Sequence, residues 1–338
     1  MARAVVLGCA GPRLTAEERR FFADADPLGF ILFGRNCHAP EQVRALVADL
    51  RDALGRDNAP VLIDQEGGRV QRLKPPHWRA APPPARFGSL ASRDSDAAVR
   101  AAWLNARLIA ADLLVLGVTV DCTPVLDLLL PDAHAVIGDR AFGAAPETVS
   151  RLGRAVIDGM LAGGVLPVVK HLPGHGRAAA DSHESLPVVD AGKADLTAMD
   201  FVPFRDLADA PWGMTAHVVY PALDPVAPAT TSPSVIREAI REDIGFDGVL
   251  VSDDLSMKAL HGDFRDRAEA AIGAGCDVVL HCNGDPAEMS AVVAGTPALS
   301  GRAARRVEAA ERRRAAQTTQ DLDSIAAGAE LDALLAGG

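Results

Sequence analysis

Aromatic side chains are scarce in this chain: 10 Phe, 3 Trp and 1 Tyr in 338 residues, 4% of the total. Alanine and leucine carry the apolar share instead, a composition that favours many helices. An excess of cations is also missing. The formal net charge is -11, which argues against a nucleic-acid-binding surface, since neutralising phosphates requires clustered Lys and Arg. The one Arg-rich piece, residues 302–314, interleaves Arg with Ala and Glu at helical spacing and reads as a solvated helix face. Cysteine is sparse and unpatterned. Cys9, Cys37, Cys122, Cys276 and Cys282 are odd in number, form no CxxC pair and sit mostly within or beside apolar runs. Buried thiols in a reducing compartment are the expectation. No run approaches the ~20 apolar residues of a membrane span, and the apolar part of the first seven residues is too short for a signal peptide. A cytoplasmic location, away from membranes, is expected.

What the chain does have is a 49% hydrophobic share with 23% charged residues, enough for a large core. Short apolar strand candidates recur at residues 4–7, 29–33, 61–63, 118–120, 165–169, 212–216, 249–251 and 278–280. Helical patterns alternate with them at residues 15–25, 39–54, 97–116 and 146–162, the first opening on Thr15 and Glu18 as a capping box. Residues 74–86 are Pro-rich and read as a long loop. About eight strands alternating with helices predict an α/β fold of the TIM (β/α)8 class. A doubly wound sheet would carry a Gly-rich dinucleotide turn after its first strand, and Pro12 stands where that turn should open a helix. One domain is expected over residues 1–338: the barrel over about 4–295, then C-terminal helices and a fraying tail.

The strand ends are the informative positions. Asp64, Asp121, Lys170 with His171, His217, Asp253 and Asn283 each fall just past the apolar residues of a strand. In a barrel these ends converge on the C-terminal face, where such enzymes build their sites. The richest stretch is residues 170–189, KHLPGHGRAAADSHESLPVV, with three histidines and, between them, Gly174, Gly176 and Ala178 to Ala180. A solvated loop with incidental histidines accounts for it poorly, and an enzyme active site is the stronger reading.

Two chemistries suit a rim of carboxylates and imidazoles. Metal-assisted hydrolysis would use His171, His183, His217 and Asp253 as ligands, yet the first strand ends in Gly8-Cys9-Ala10 rather than a His-x-His pair. Glycoside hydrolysis through a covalent intermediate needs a carboxylate nucleophile and a proton donor on opposite faces of the sugar. Asp253, at a strand end, is rigidly placed for the first task. Asp181 stands two residues before His183 and could orient and charge that imidazole for the second. Asp254 is expected to cap a helix beginning near Leu255. A sugar-binding barrel without catalysis remains a third possibility at this level.

Four ordered blocks carry a specific resemblance: IDQEGGRVQRL at 63–73, VIGDRAFG at 136–143, KHLPGHGRAAADSHESLP at 170–187 and SDDLSMKAL at 252–260. Together they resemble glycoside hydrolase family 3, in particular its single-domain bacterial β-N-acetylhexosaminidases. That resemblance implies a TIM barrel, retention of anomeric configuration, and no metal or other cofactor. By position, Asp253 resembles the nucleophile, His183 the general acid/base and Asp181 its dyad partner. Lys170 and His171 match the pair that binds the hydroxyls and acetamido region of the sugar. Asp64 and Arg72 match hydroxyl-holding positions, and Arg140 a substrate-contacting arginine. The implied substrate is a small molecule, a non-reducing terminal β-linked N-acetylglucosamine on a muropeptide, handled by a monomer. Residues 128–134 depart from the Asn-rich approach frequent in the family, which bears on the contacts of Arg140. From the residues themselves, Lys170 should keep Asp253 ionised, and the small residues at 174, 176 and 178–180 should leave the His183 loop mobile.

Overall fold

The structure is a computed structural model that describes residues 1–130, 137–178, 186–317 and 321–337. Eight parallel strands close into a barrel: β1 (Arg3–Gly8), β2 (Pro27–Leu32), β3 (Val61–Ile63), β4 (Val120–Asp121), β5 (Leu166–Leu172), β6 (Trp212–Thr215), β7 (Val249–Asp254) and β8 (Val278–His281). Closure is made where Val5, Val6 and Leu7 of β1 stand opposite Val279, Leu280 and His281 of β8. The residues of β2, β3, β5, β6 and β8 are buried throughout. A parallel strand covered by barrel packing on one side and helices on the other must be apolar on both faces, so it appears in the sequence as a continuous apolar run. The TIM (β/α)8 expectation therefore holds, with each expected strand matched to within a few residues.

The helices follow from local signals. The Ala16–Ala25 helix starts on the Thr15–Glu18 capping box, both reciprocal hydrogen bonds being present, and ends on Asp26 in the left-handed conformation. The helices Pro40–Leu54 and Pro146–Ala162 begin with proline in their first turn, where the missing N–H costs nothing. Two expectations need correction. The Pro-rich loop is shorter than its composition suggests, because a helix over Pro84–Ala91 begins inside it with Pro84 at its start. The described part of the C-terminal segment is a docked helix rather than a loose tail. Its helix Ser324–Ala336, capped by Asp323, lies on the helix Ser95–Leu114. Leu331 and Ala327 are buried there, and Arg100 pairs with Glu330. An Ala- and Leu-rich stretch has low polarity but a full apolar stripe, and that stripe found a partner.

The cysteines all carry free thiols; four are buried and Cys37 is partly so. Burial pushes the thiols of Cys9, Cys37 and Cys276 up to about 12, so they behave as small apolar groups. No helix among the described residues is long and apolar enough to cross a membrane.

Candidate active site

At the C-terminal mouth of the barrel lies a pocket of about 290 Å³. Asp64, Arg72, Arg140, Lys170, His171 and Asp253 all line it, so six of the eight expected site residues meet in one place. The other two, Asp181 and His183, lie outside the described residues. Since β3 and β7 are four strands apart in the eight-membered barrel order, Asp64 and Asp253 stand on opposite sides of the mouth.

One side of the pocket is a charged lattice built on a hairpin. Immediately after β3 the chain forms two short antiparallel strands, Gln65–Gly67 and Val70–Gln71. The Gln65 N–H donates to Asp121 Oδ1 at 2.9 Å, and Gln65 Oε1 accepts from the N–H groups of Arg72 and Leu73, each at 2.9 Å. The hairpin is thus tied to the end of β4 and to its own return strand. It carries Glu66 into the interior, where its side chain is fully buried, and the Glu66 carboxylate takes Lys170 Nζ at 2.7 Å and both Arg140 Nε and Nη2 at 2.8 Å. Asp64 takes Lys170 Nζ at 3.0 Å and Arg72 Nη2 at 2.9 Å. The Arg72 guanidinium lies over the Phe33 ring, 4.8 Å from its centroid.

The protonation states follow from this wiring. For Asp64 burial works to raise the pKa, but Lys170 and Arg72 outweigh it and hold the carboxyl well below the usual carboxylate range. Glu66 is treated alike by Lys170 and Arg140 and falls to about 2. Burial works to lower the pKa of Lys170, yet Asp64 and Glu66 keep the ammonium charged well beyond its ordinary range. Asp121 differs. It is buried behind the lattice with Oδ2 unpartnered, and desolvation pushes it up to about 8.

That proton on Asp121 has a consequence for stability. The unfolded carboxyl, with a pKa near ~3.9, has released the proton that the folded one keeps up to about 8. The raised pKa therefore supports the fold below the unfolded value, and the support is lost as pH rises through the folded one. Wild-type protein should lose stability at about 1.4 kcal/mol per pH unit from this group between pH 6.5 and 8, read from urea midpoints. Asp121→Asn should flatten that slope; equal slopes in the two proteins would refute the protonated state.

The opposite side is made by β7. Asp253 Oδ1 accepts the N–H of Asp254 at 2.8 Å. Burial works to raise the Asp253 pKa, and the imidazoles of His217 and His171 with that N–H bring it below the ordinary value. Lys170 lowers it too but is the weakest of these influences, because its ammonium is already bonded to Asp64 and Glu66. The expected Lys170–Asp253 support is thus secondary. Asp254 does not cap a helix at Leu255. The next helix, Phe264–Ala274, is capped by Asp263, while Asp254 Oδ1 accepts the N–H groups of Ser256 at 3.0 Å and Cys282 at 3.1 Å. It ties the end of β7 to the end of β8.

His171, at the end of β5, places Nδ1 2.6 Å from Asp127 Oδ2. Asp127 Oδ1 accepts the N–H groups of His171 at 3.2 Å and His175 at 2.7 Å. The described part of the following loop is closely held, against the expectation of looseness. Tyr220 Oη donates to the Gly174 carbonyl at 2.8 Å, Arg177 pairs with Asp200 at 2.7 Å, and a Cβ on Gly176 would collide with the Leu128 carbonyl. His175 also lines the pocket, and burial drops its pKa to about 4.

The remaining strand-end groups are not in the pocket lining. His217 is buried with Nδ1 2.7 Å from Thr230 Oγ1 and Nε2 3.0 Å from the Asp254 carbonyl. Asn283 is exposed and caps the turn into the next helix. Among the described residues no three His, Cys, Asp or Glu side chains converge as metal ligands. Sequence reasoning missed Glu66 and Asp127. Each left a signal: Glu66 lies inside the IDQEGGRVQRL block, and Asp127 is a lone carboxylate in the apolar run 125–130.

Comparison with known proteins agrees with this geometry. The model of the glycosyl hydrolase family 3 N-terminal domain matches residues 4–314. A beta-hexosaminidase of Alkalilimnicola ehrlichii is 43% identical over 297 residues, 87% of this chain and 84% of that one. Another from Chromobacterium violaceum is 43% identical over 294 residues, 86% of this chain and 81% of that one. Among solved structures, NagZ from Neisseria gonorrhoeae in complex with N-trifluoroacetyl-D-glucosamine is 34% identical with a TM-score of 0.87, covering 99% of this chain and 98% of that one. A family 3 β-N-acetylglucosaminidase from Paenibacillus sp. is 32% identical with a TM-score of 0.85, covering 98% of this chain and 66% of that one. The enzyme is a β-N-acetylhexosaminidase, and the chain belongs to glycoside hydrolase family 3.

Proposed function

We propose that the enzyme releases non-reducing terminal β-linked N-acetylglucosamine from peptidoglycan fragments, in the recycling of muropeptides, through a glycosyl-enzyme intermediate. The observation that carries this reading is the pocket in which an ionised Asp253 faces the Asp64–Lys170–Arg72 lattice across the barrel mouth. A sugar ring seated between them offers its hydroxyls to Asp64, Arg72, Arg140, Lys170 and His171, and its anomeric carbon to Asp253. Charged donors and acceptors held in place by one another bind hydroxyls without reorganising as the transition state forms.

In the first half-reaction an Asp253 oxygen bonds to the anomeric carbon as the bond to the aglycone oxygen breaks, and His183 gives that oxygen its proton. In the second, water attacks the same carbon, His183 takes the water's proton, and Asp253 leaves as a carboxylate. Asp181 stabilises the His183 imidazolium that enters the first step and that the second step restores. Incubation with a fluorinated glycosyl trap followed by peptide mass spectrometry tests the scheme: the adduct is expected on Asp253, and labelling elsewhere refutes the assignment. His183→Ala should slow substrates with poor leaving groups by roughly 10²–10⁴-fold and good ones much less. A uniform loss across leaving groups would remove His183 from the acid role.

A further inference from the structure

Asp127 has no place in the scheme above, yet it is the buried carboxylate nearest the sugar-binding imidazole. We propose that Asp127 is a positioning residue that sets the tautomer of His171, so that His171 Nε2 meets the sugar as a hydrogen-bond acceptor. The inference rests on the reading of His171 as a sugar-binding residue.

The geometry allows little else. Asp127 is buried, and one of its oxygens is already engaged by two backbone N–H groups, those of His171 and His175. A carboxylate that accepts two backbone N–H groups on one oxygen stays ionised. An ionised carboxylate only accepts. Across the 2.6 Å contact, His171 Nδ1 must therefore be the donor. The other ring nitrogen, Nε2, is then the only polar ring atom left for the pocket that His171 lines. In the neutral imidazole it carries a lone pair and takes its hydrogen from a sugar hydroxyl. The neighbouring cations reinforce this division. Lys170, Arg72 and Arg140 can only donate, so a hydroxyl that accepts from one of them has its own hydrogen to give. An acceptor at His171 completes that hydroxyl's bonding.

Asp127→Asn isolates this role from simple support of the loop. The amide oxygen can still accept the two backbone N–H groups, while the NH2 faces Nδ1 and drives the ring proton to Nε2. Two donors would then confront the sugar. With an aryl β-N-acetylglucosaminide, kcat/KM is expected to fall about 10- to 100-fold, mostly through KM. In His171→Gln the added Asp127→Asn change should cost little more, as expected for residues acting as one unit.

Nitrogen-15 NMR supplies a readout that a structural role would not move. The His171 ring resonances are identified as those missing from His171→Gln, and wild-type protein alone should show Nδ1 protonated and Nε2 bare. Adding N-acetylglucosamine should shift Nε2 toward the hydrogen-bonded range. Wild-type His171 protonated at Nε2, alone or together with Nδ1, or a ring tautomer unaltered in a folded Asp127→Asn protein, would overturn the proposal. Should the Asn variant not fold, the wild-type spectrum decides alone. Failure of wild-type protein to cleave any β-N-acetylglucosaminide would instead count against the proposed function.

Discussion

Asp253→Ala is expected to reduce turnover of an aryl β-N-acetylglucosaminide by roughly 10⁵-fold while leaving the unfolding midpoint close to that of the wild type. The size of the loss follows from the removal of the atom that would form the covalent bond, which no neighbour can replace. Lys170, Asp64 and Glu66 are mutually bonded on the far side of the mouth, and Asp254 is committed to Ser256 and Cys282. The small effect on stability follows from the position of Asp253 at a strand end. Its one described hydrogen bond is to the adjacent Asp254 N–H, and desolvating its charge is a cost that alanine relieves. Turnover within tenfold of wild type would show that Asp253 is not the nucleophile. A large drop in unfolding midpoint would show that its role is structural.

Lys170→Met should have the opposite balance: a loss of stability of about 3–5 kcal/mol together with loss of sugar binding. The ammonium is the shared partner of two buried carboxylates, Asp64 at 3.0 Å and Glu66 at 2.7 Å. Methionine fits the same volume but leaves Glu66 with only Arg140 and Asp64 with only Arg72 as charged partners among the described pairs. Two carboxylates at short range, no longer bridged, repel one another and are costly to desolvate. The double variant Lys170→Met with Glu66→Gln should recover part of the stability without recovering activity. Urea titration of the two variants decides the matter. An unchanged midpoint in the single variant, or no recovery in the double, would mean that the lattice contributes nothing to the fold.

Much of the architecture was legible because a parallel barrel forces its strands to be apolar on both faces. Runs such as VLI at 61–63 and VVL at 278–280 therefore stand out from the amphipathic helices between them. The strand-end rule carried the reading further, from fold to site. Asp64, Lys170, His171 and Asp253 were picked because they follow such runs, and they meet in one pocket. The same rule over-reached at His217 and Asn283. Which way a polar side chain turns at the end of a strand depends on local twist and on the partners available, and neither is written in the run before it. His217 found Thr230 and the Asp254 carbonyl, and Asn283 accepts the Asp285 N–H in the turn before the next helix.

The sequence by itself determined the fold class, the family and most of the groups at the barrel mouth, Glu66 and Asp127 excepted, because each depends on residue type at a spacing measured along the chain. Only the tertiary structure decided how those groups are wired. Arg140 reaches Glu66 across 74 residues, and His171 reaches Asp127 across 44. Local periodicity holds no record of such distances. Protonation was decided at the same level: Asp64 and Asp121 are both aspartates just past or at the end of adjacent strands, yet one is held ionised by two cations and the other is kept protonated to about 8 by burial. The difference is one of solvation and neighbours, which exist only once the barrel has closed.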